Sequence, residues 1–200
     1  MPGNSIHKVN KNKSKIIIFS APSGSGKTSI ANILLQKDLG LEFSISACSR
    51  KKRKGEVDGE NYYFLSAKEF RSKIDNNEFL EWEEVYQDHY YGTFWSEIDR
   101  IQNKGKHIFF DVDVIGGLNL KMEFGTRAIS IFIMPPSIKE LEKRLLSRST
   151  ESLENIKKRI DKAEKEITEH IKFDKIIIND NLEDAVNQAE NIIVEFLSHE

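Results

Sequence analysis

The chain is expected to fold as an α/β protein, with about five parallel strands flanked by helices. Three features point there. Short β-branched runs recur between stretches of helical periodicity. The runs IIIF, HIFF, ISIFIM and KIII are apolar at successive rather than alternate positions, as strands buried on both faces require. The first of them ends in a glycine-rich turn that leads straight into a helical stretch. With 200 residues, 38% of them hydrophobic, the chain makes one compact domain or a core with small inserted lobes.

Residues 1–14 are polar and lysine-dotted and are expected to form a disordered basic tail. The apolar run that follows is too short for the core of a signal peptide. Core strands are expected at 15–20, 43–46, 107–112, 128–134 and 175–179. Between 46 and 95 the texture becomes aromatic, charged and glycine-punctuated, which suggests an inserted lobe of short antiparallel strands. Ser66-Ala-Lys-Glu69 and Ser137-Ile-Lys-Glu140 read as capping boxes that start helices, because serine and glutamate side chains there satisfy free backbone N–H groups reciprocally. The stretch 149–170 is nearly all charged or polar, with Leu153, Ile156, Ile160, Ala163 and Ile167 at helical spacing, and is expected to be a mobile helical lid.

Charge narrows the partners. The 30 Lys+Arg against 32 Asp+Glu leave a net charge of −2, which gives no global reason to propose nucleic acid or an anionic membrane. A single cysteine, Cys48, cannot close an internal disulfide, and no stretch approaches the roughly 18 apolar residues of a membrane span, so a cytoplasmic protein is expected. The five histidines show no metal-ligand spacing.

The strand at 15–20 runs into Ala21-Pro-Ser-Gly-Ser-Gly-Lys-Thr28 and then a helical stretch, the context a phosphate-binding loop needs. Gly24 and Gly26 permit backbone conformations that turn successive N–H groups to one point, and the helix N-terminus adds positive potential. Lys27 supplies a cation for the β- and γ-phosphates and Thr28 a hydroxyl for Mg²⁺. Ala21 stands where the usual pattern has its first glycine, which is tolerable if its φ is negative. These features specify a P-loop NTPase core, a very large class.

Further motifs resemble those of guanylate kinases, in order and over nearly the whole chain from residue 15. They are Phe43-Ser-Ile-Ser-Ala-Cys-Ser-Arg-Lys-Lys-Arg-Lys-Gly-Glu56, Gly59-Glu-Asn-Tyr62, Glu78-Phe-Leu-Glu-Trp82, Tyr91-Gly-Thr93, Phe110-Asp-Val-Asp-Val-Ile-Gly116 and Ile131-Phe-Ile-Met-Pro-Pro-Ser137. The family's double threonine is Cys48-Ser49 here, and its proline before the second arginine is Lys52. The resemblance implies ATP-dependent, Mg²⁺-assisted phosphorylation of GMP, with dGMP as a further acceptor, in purine nucleotide metabolism. It makes the inserted lobe, 46–95, the GMP-binding part and 149–170 the lid, on a core of 15–45, 96–148 and 171–200.

The resemblance places ATP on Ala21, Pro22, Ser23, Gly24, Ser25, Gly26, Lys27, Thr28 and Asn179. Catalytic cations would be Lys27, Arg50, Arg144, Arg148 and Arg159, with Mg²⁺ on Thr28 and, through water, Asp111. The chemistry of the acceptor residues agrees. Arg50 and Arg53, with the hydroxyls of Tyr62 and Tyr91, make a charge-assisted cage for a dianionic phosphate. Guanine offers N1–H and N2–H₂ as donors and O6 as an acceptor, so the Glu81 carboxylate accepts a forked pair while Ser46 and Thr93 donate to O6. Asp113 is expected beside the same edge.

Taken singly, Arg50 to Lys54 is a solvated basic loop, Glu81 a surface charge, and the tyrosines packing residues. Two other readings of the whole remain: an interaction module of the same fold that binds protein partners, and another P-loop small-molecule kinase.

Overall fold

The computed structural model describes residues 14–148 and 153–199; the expected basic tail lies almost wholly outside them. In chain order the elements are β1 (Ile16–Ser20), α1 (Lys27–Leu35), β2 (Leu41–Phe43), β3 (Ala47–Cys48), β4 (Tyr63–Phe64), α2 (Ala67–Asp75), β5 (Phe79–Tyr86) and β6 (His89–Phe94). Then come α3 (Trp95–Gln102), β7 (His107–Val112), α4 (Val114–Phe124), β8 (Ala128–Met134), α5 (Ile138–Arg148), α6 (Leu153–Thr168), β9 (Lys175–Ile178) and α7 (Leu182–Ser198). Five strands form a parallel sheet in the order β2-β7-β1-β8-β9, so the strand before the phosphate loop is central.

Alternation along β1 divides its residues between two cores. Ile17 and Phe19 join Ile30 and Leu34 of α1 and Ala185 and Ile193 of α7 on one face. Ile16 and Ile18 join Ile98 and Ile101 of α3 and Leu120 of α4 on the other. With every residue of β1 buried, nothing on this strand can slip without exposing apolar surface, and the loop at its end is fixed in place.

Two strand expectations need correction. The second core strand is Leu41–Phe43 rather than 43–46, because the chain leaves the sheet after Phe43 to enter the lobe. The KIII run is not buried on both faces: β9 is an edge strand, and Ile178 is 58% exposed. An apolar run signals a strand but not its place in the sheet.

A second sheet, β4-β3-β6-β5, is mixed, since β3 pairs with β4 in parallel and with β6 antiparallel. Its core is an aromatic stack in which Phe79 lies against Phe70 at 4.3 Å and Phe94 at 4.5 Å. Glu97 of α3, almost fully buried, ties this sheet to the core, taking the Tyr63 hydroxyl at 2.7 Å and the Ile45 N–H at 2.8 Å. Arg100 neutralises it, which makes the burial of a carboxylate tolerable.

The Ser66 box is complete, with each side chain on the other's backbone N–H. At Ser137 the hydroxyl accepts from the Glu140 N–H at 3.1 Å, while the Glu140 carboxylate pairs with Lys143 and Arg144. Helices α5 and α6 pack through Leu141, Leu145, Ile156 and Ala163.

Candidate active site

The phosphate loop is held from three sides. Gly26, at φ +88°, is the residue before α1, and a Cβ there would lie 2.3 Å from Asn179 Nδ2. That nitrogen donates to the Ser25 carbonyl at 2.6 Å, so the close approach that excludes a side chain also pins the loop. Gly24, at φ +95°, lies against Leu141 and Leu145 of α5. The Ser25 hydroxyl donates to the Pro22 carbonyl at 2.8 Å. Ala21 is buried, and φ there is not positive, which meets the condition its methyl group imposes.

Lys27 donates to the Val112 carbonyl and pairs with Asp111, while the Thr28 hydroxyl donates to the second Asp111 oxygen at 3.2 Å. Asp111 sits on β7 opposite Phe19 of β1, so strand register alone brings it to the loop. Arg144 donates from Nη2 to the Asn179 carbonyl at 3.1 Å and so adjoins the loop's support. Arg159, on α6, donates to the Ser23 hydroxyl, which brings the helix expected in the lid onto the loop. The side chain of Arg148 lies outside the described residues, although its backbone ends α5.

Across from the loop, the second sheet turns one face of β5 and β6 to the site. Register sets Glu81 opposite Thr93 and Glu83 opposite Tyr91. Thr93, fully buried, donates its hydroxyl proton to Glu81 at 2.8 Å, so in this arrangement it orients the carboxylate rather than a ligand. Burial, reinforced by nearby Asp113, pushes the Glu81 carboxyl up to about 7 against the opposing hydrogen bond. Asp113 caps α4 through the Gly116 N–H at 2.7 Å and stands beside Glu81 at the expected edge.

Arg50 is not free. It forms a fork with Glu56, at 2.7 and 2.6 Å, and its guanidinium covers the Tyr62 ring at 4.9 Å. The fork, with help from the Arg53 N–H, holds the Glu56 carboxyl down at about 2. Glu56 therefore stands where an anionic ligand would compete for Arg50. Tyr62 and Tyr91 meet edge to face at 6.1 Å, and burial raises the Tyr62 phenol, which stays a donor. The Arg53 side chain is exposed, and Ser46 is half-buried with its carbonyl on the Tyr63 N–H.

Sequence reasoning missed Glu56 and Glu83. Glu83 carried a signal, since two residues along a strand return to the same face. The Arg50–Glu56 fork carried none, because six residues of loop can bring almost any pair together.

A phosphate loop at the head of a parallel sheet, faced by a second sheet with an arginine, tyrosines and a buried carboxylate, defines a P-loop nucleoside monophosphate kinase. Comparison with known proteins narrows this. The guanylate kinase family model matches residues 13–196. A guanylate kinase of Bacteroides thetaiotaomicron is 53% identical over 93% of this chain and 91% of its own length, and one of Porphyromonas gingivalis 52% identical over 92% and 98%. The crystal structure of guanylate kinase from Anaplasma phagocytophilum superposes with a TM-score of 0.76 at 28% identity, covering 93% of this chain and 87% of that one. The chain belongs to the guanylate kinase family.

Proposed function

We propose that the chain transfers the γ-phosphoryl group of ATP to GMP, and also to dGMP, releasing ADP and GDP in purine nucleotide metabolism. The observation that carries the acceptor reading is Glu81, a buried carboxylate oriented by Thr93 on the sheet face opposite the phosphate loop. Adenine has no paired donors to offer it and would leave it buried and unpaired. The lobe at 46–95 takes GMP, and 149–170 acts as lid over a core of 15–45, 96–148 and 171–200.

Phosphoryl transfer between two polyanions needs positioning and charge neutralisation more than covalent chemistry. Loop N–H groups and Lys27 bind the β- and γ-phosphates of ATP, with Asn179 fixing the loop. Arg50 leaves Glu56 for the GMP phosphate, which carries about twice the charge of a carboxylate, and Arg53 turns in with Tyr62 and Tyr91. Arg144, Arg148 and Arg159 approach the transferring group as the lid closes and water leaves. Ser46 donates to guanine O6, and Asp113 flanks its donor edge.

Thr28 Oγ1 and Asp111 Oδ2, 3.2 Å apart, are hard oxygen donors at the mouth of the loop. No group of three His, Cys, Asp or Glu able to hold a metal occurs among the described residues, so this pair fits a Mg²⁺ that comes with the nucleotide and keeps water ligands. When bound, Mg²⁺ neutralises charge on the β- and γ-oxygens.

No helix of the described residues is long and apolar enough to cross a membrane. The proposed setting is the cytoplasm, with which the free, buried Cys48 agrees.

Proton linkage tests the reading. The free site holds a proton on Glu81 below about pH 7, and guanine binding requires its release. GMP affinity should rise by up to about tenfold per pH unit as pH approaches 7 from below, then level off. The sign for stability is opposite: a carboxyl raised from 4.5 to about 7 on folding makes the apo protein less stable as pH rises through that interval. Calorimetry in buffers of different ionisation enthalpy, between pH 6.5 and 8.5, measures the proton released. The release should fade by pH 8.5, and binding of GMP at pH 6.5 without it would mean that Glu81 does not read the base.

A further inference from the structure

Two short segments carry groups assigned above to opposite ends of the acceptor: Ile45-Ser46, on the way from β2 to β3, and Tyr62-Tyr63, at the start of β4. Ser46 is the contact to guanine O6 and Tyr62 a contact to the phosphate. The segments lie side by side, since the Ser46 carbonyl accepts the Tyr63 N–H at 2.9 Å and Ala47 pairs with Tyr63 in the sheet. Successive residues of an extended chain face opposite ways. The Tyr62 ring accordingly lies under the Arg50 guanidinium and against Tyr91, whereas the Tyr63 ring lies against Phe94 at 5.9 Å, away from the phosphate cage.

Behind both segments stands Glu97, on α3 of the core and 2% exposed. Its Oε1 accepts the Tyr63 hydroxyl at 2.7 Å and its Oε2 the Ile45 N–H at 2.8 Å, so one carboxylate spans the two segments. Arg100, on the same helix, donates to both oxygens as well, from Nε at 2.9 Å and from Nη2 at 2.8 Å. These donors use the full accepting capacity of the carboxylate. Nη2 also reaches the Phe43 carbonyl at 2.9 Å and Nη1 pairs with Glu42, so the same guanidinium holds the exit from β2. Burial works against the charge of Glu97, yet the bonds from Arg100, Ile45 and Tyr63 together hold its carboxyl below the ordinary glutamate range. A buried ion pair adds little net stability over apolar packing of the same volume, and its best-attested use is to fix one register.

We propose that Glu97 is a positioning residue for the acceptor, fixing the separation between the guanine contact at Ser46 and the phosphate contact at Tyr62. It touches neither nucleotide. Because α3 belongs to the core that carries the phosphate loop, the same carboxylate sets both contacts relative to the donor site. This inference rests on the reading of the second sheet as the GMP site.

Glu97→Gln and Tyr63→Phe test it. Whichever way the amide of Glu97→Gln turns, its NH₂ group meets an Arg100 N–H where an acceptor stood. Tyr63→Phe removes one of the two ties and keeps the ring against Phe94, so it decides the matter even if Glu97→Gln folds poorly. KM for GMP should rise by about tenfold in Glu97→Gln and about fivefold in Tyr63→Phe, with kcat and KM for ATP within about twofold of the parent. Guanosine and inorganic phosphate, offered separately as inhibitors, each reach only one of the two contacts, and their inhibition constants should stay within about twofold. A lower thermal midpoint with KM for GMP unchanged in both variants would make Glu97 a structural tie alone and overturn the proposal. So would an equal loss of affinity for GMP, guanosine and phosphate, which would show a general disturbance of the lobe. Transfer from ATP to GMP by the unaltered protein tests the underlying reading separately.

Discussion

Lys27→Ala lowers kcat for GMP phosphorylation by about 10³-fold, the scale expected when a fixed cation is removed from developing transition-state charge. Lys27 is not a loose surface lysine: its side chain is only 15% exposed and is held between the Val112 carbonyl and Asp111. That anchoring sets its ammonium at the head of β1 and β7 before any nucleotide arrives. The loss falls on the chemical step more than on the fold. Asp111 keeps the Thr28 hydroxyl as donor and partial contact with water, and the core clusters on either side of the sheet do not include Lys27. Steady-state kinetics with circular dichroism checks both halves. A native far-ultraviolet spectrum with activity within tenfold of the parent would remove Lys27 from the transfer centre.

Glu81→Gln lowers kcat/KM for GMP by about 10³-fold while KM for ATP stays within about twofold. The substitution keeps shape and an acceptor for the Thr93 hydroxyl, so the lobe should fold as before. It replaces one acceptor oxygen by an NH₂ group that opposes guanine's own donors in a buried place. Discrimination against AMP, which a hydrogen-bonding site sustains at 10⁴-fold or more, collapses with it. Competition between GMP and AMP for the same sample is the direct assay. Selectivity that survived the change would assign base reading to other groups, with Asp113 and Glu83 the nearest.

Much of this arrangement was legible in the sequence, for identifiable reasons. The phosphate loop could be read because its function depends on backbone geometry that only certain residues adopt, and Gly24 and Gly26 do stand at positive φ. The parallel core was legible because strands buried on both faces leave no polar alternation. The expected second strand starts two residues late and ends three residues late, because Ile45 keeps an alternating strand pattern beyond Phe43, where the chain leaves the sheet. The motifs put Glu81 and Asp113 at one expected edge, yet the nearness of Asp113 to Glu83 depends on how a strand and a helix start meet. Periodicity supplies faces, but which faces meet is decided by packing over long sequence separations. For the same reason Arg50 looked available in the sequence, whereas Glu56 holds it in the folded chain. The interaction-module reading fares worse now, since Lys27, Thr28 and Asp111 are mutually engaged at the loop and Glu81 is oriented by Thr93.

Release of ADP from ATP and Mg²⁺, followed with GMP, dGMP, AMP, UMP and a sugar phosphate offered in turn at equal concentration, tests the central claim most directly. The account predicts rapid turnover with GMP, measurable turnover with dGMP, and rates lower by about 10⁴-fold in kcat/KM with the others. Comparable rates with AMP or UMP, or no acceptor-dependent ADP release at all, would contradict it.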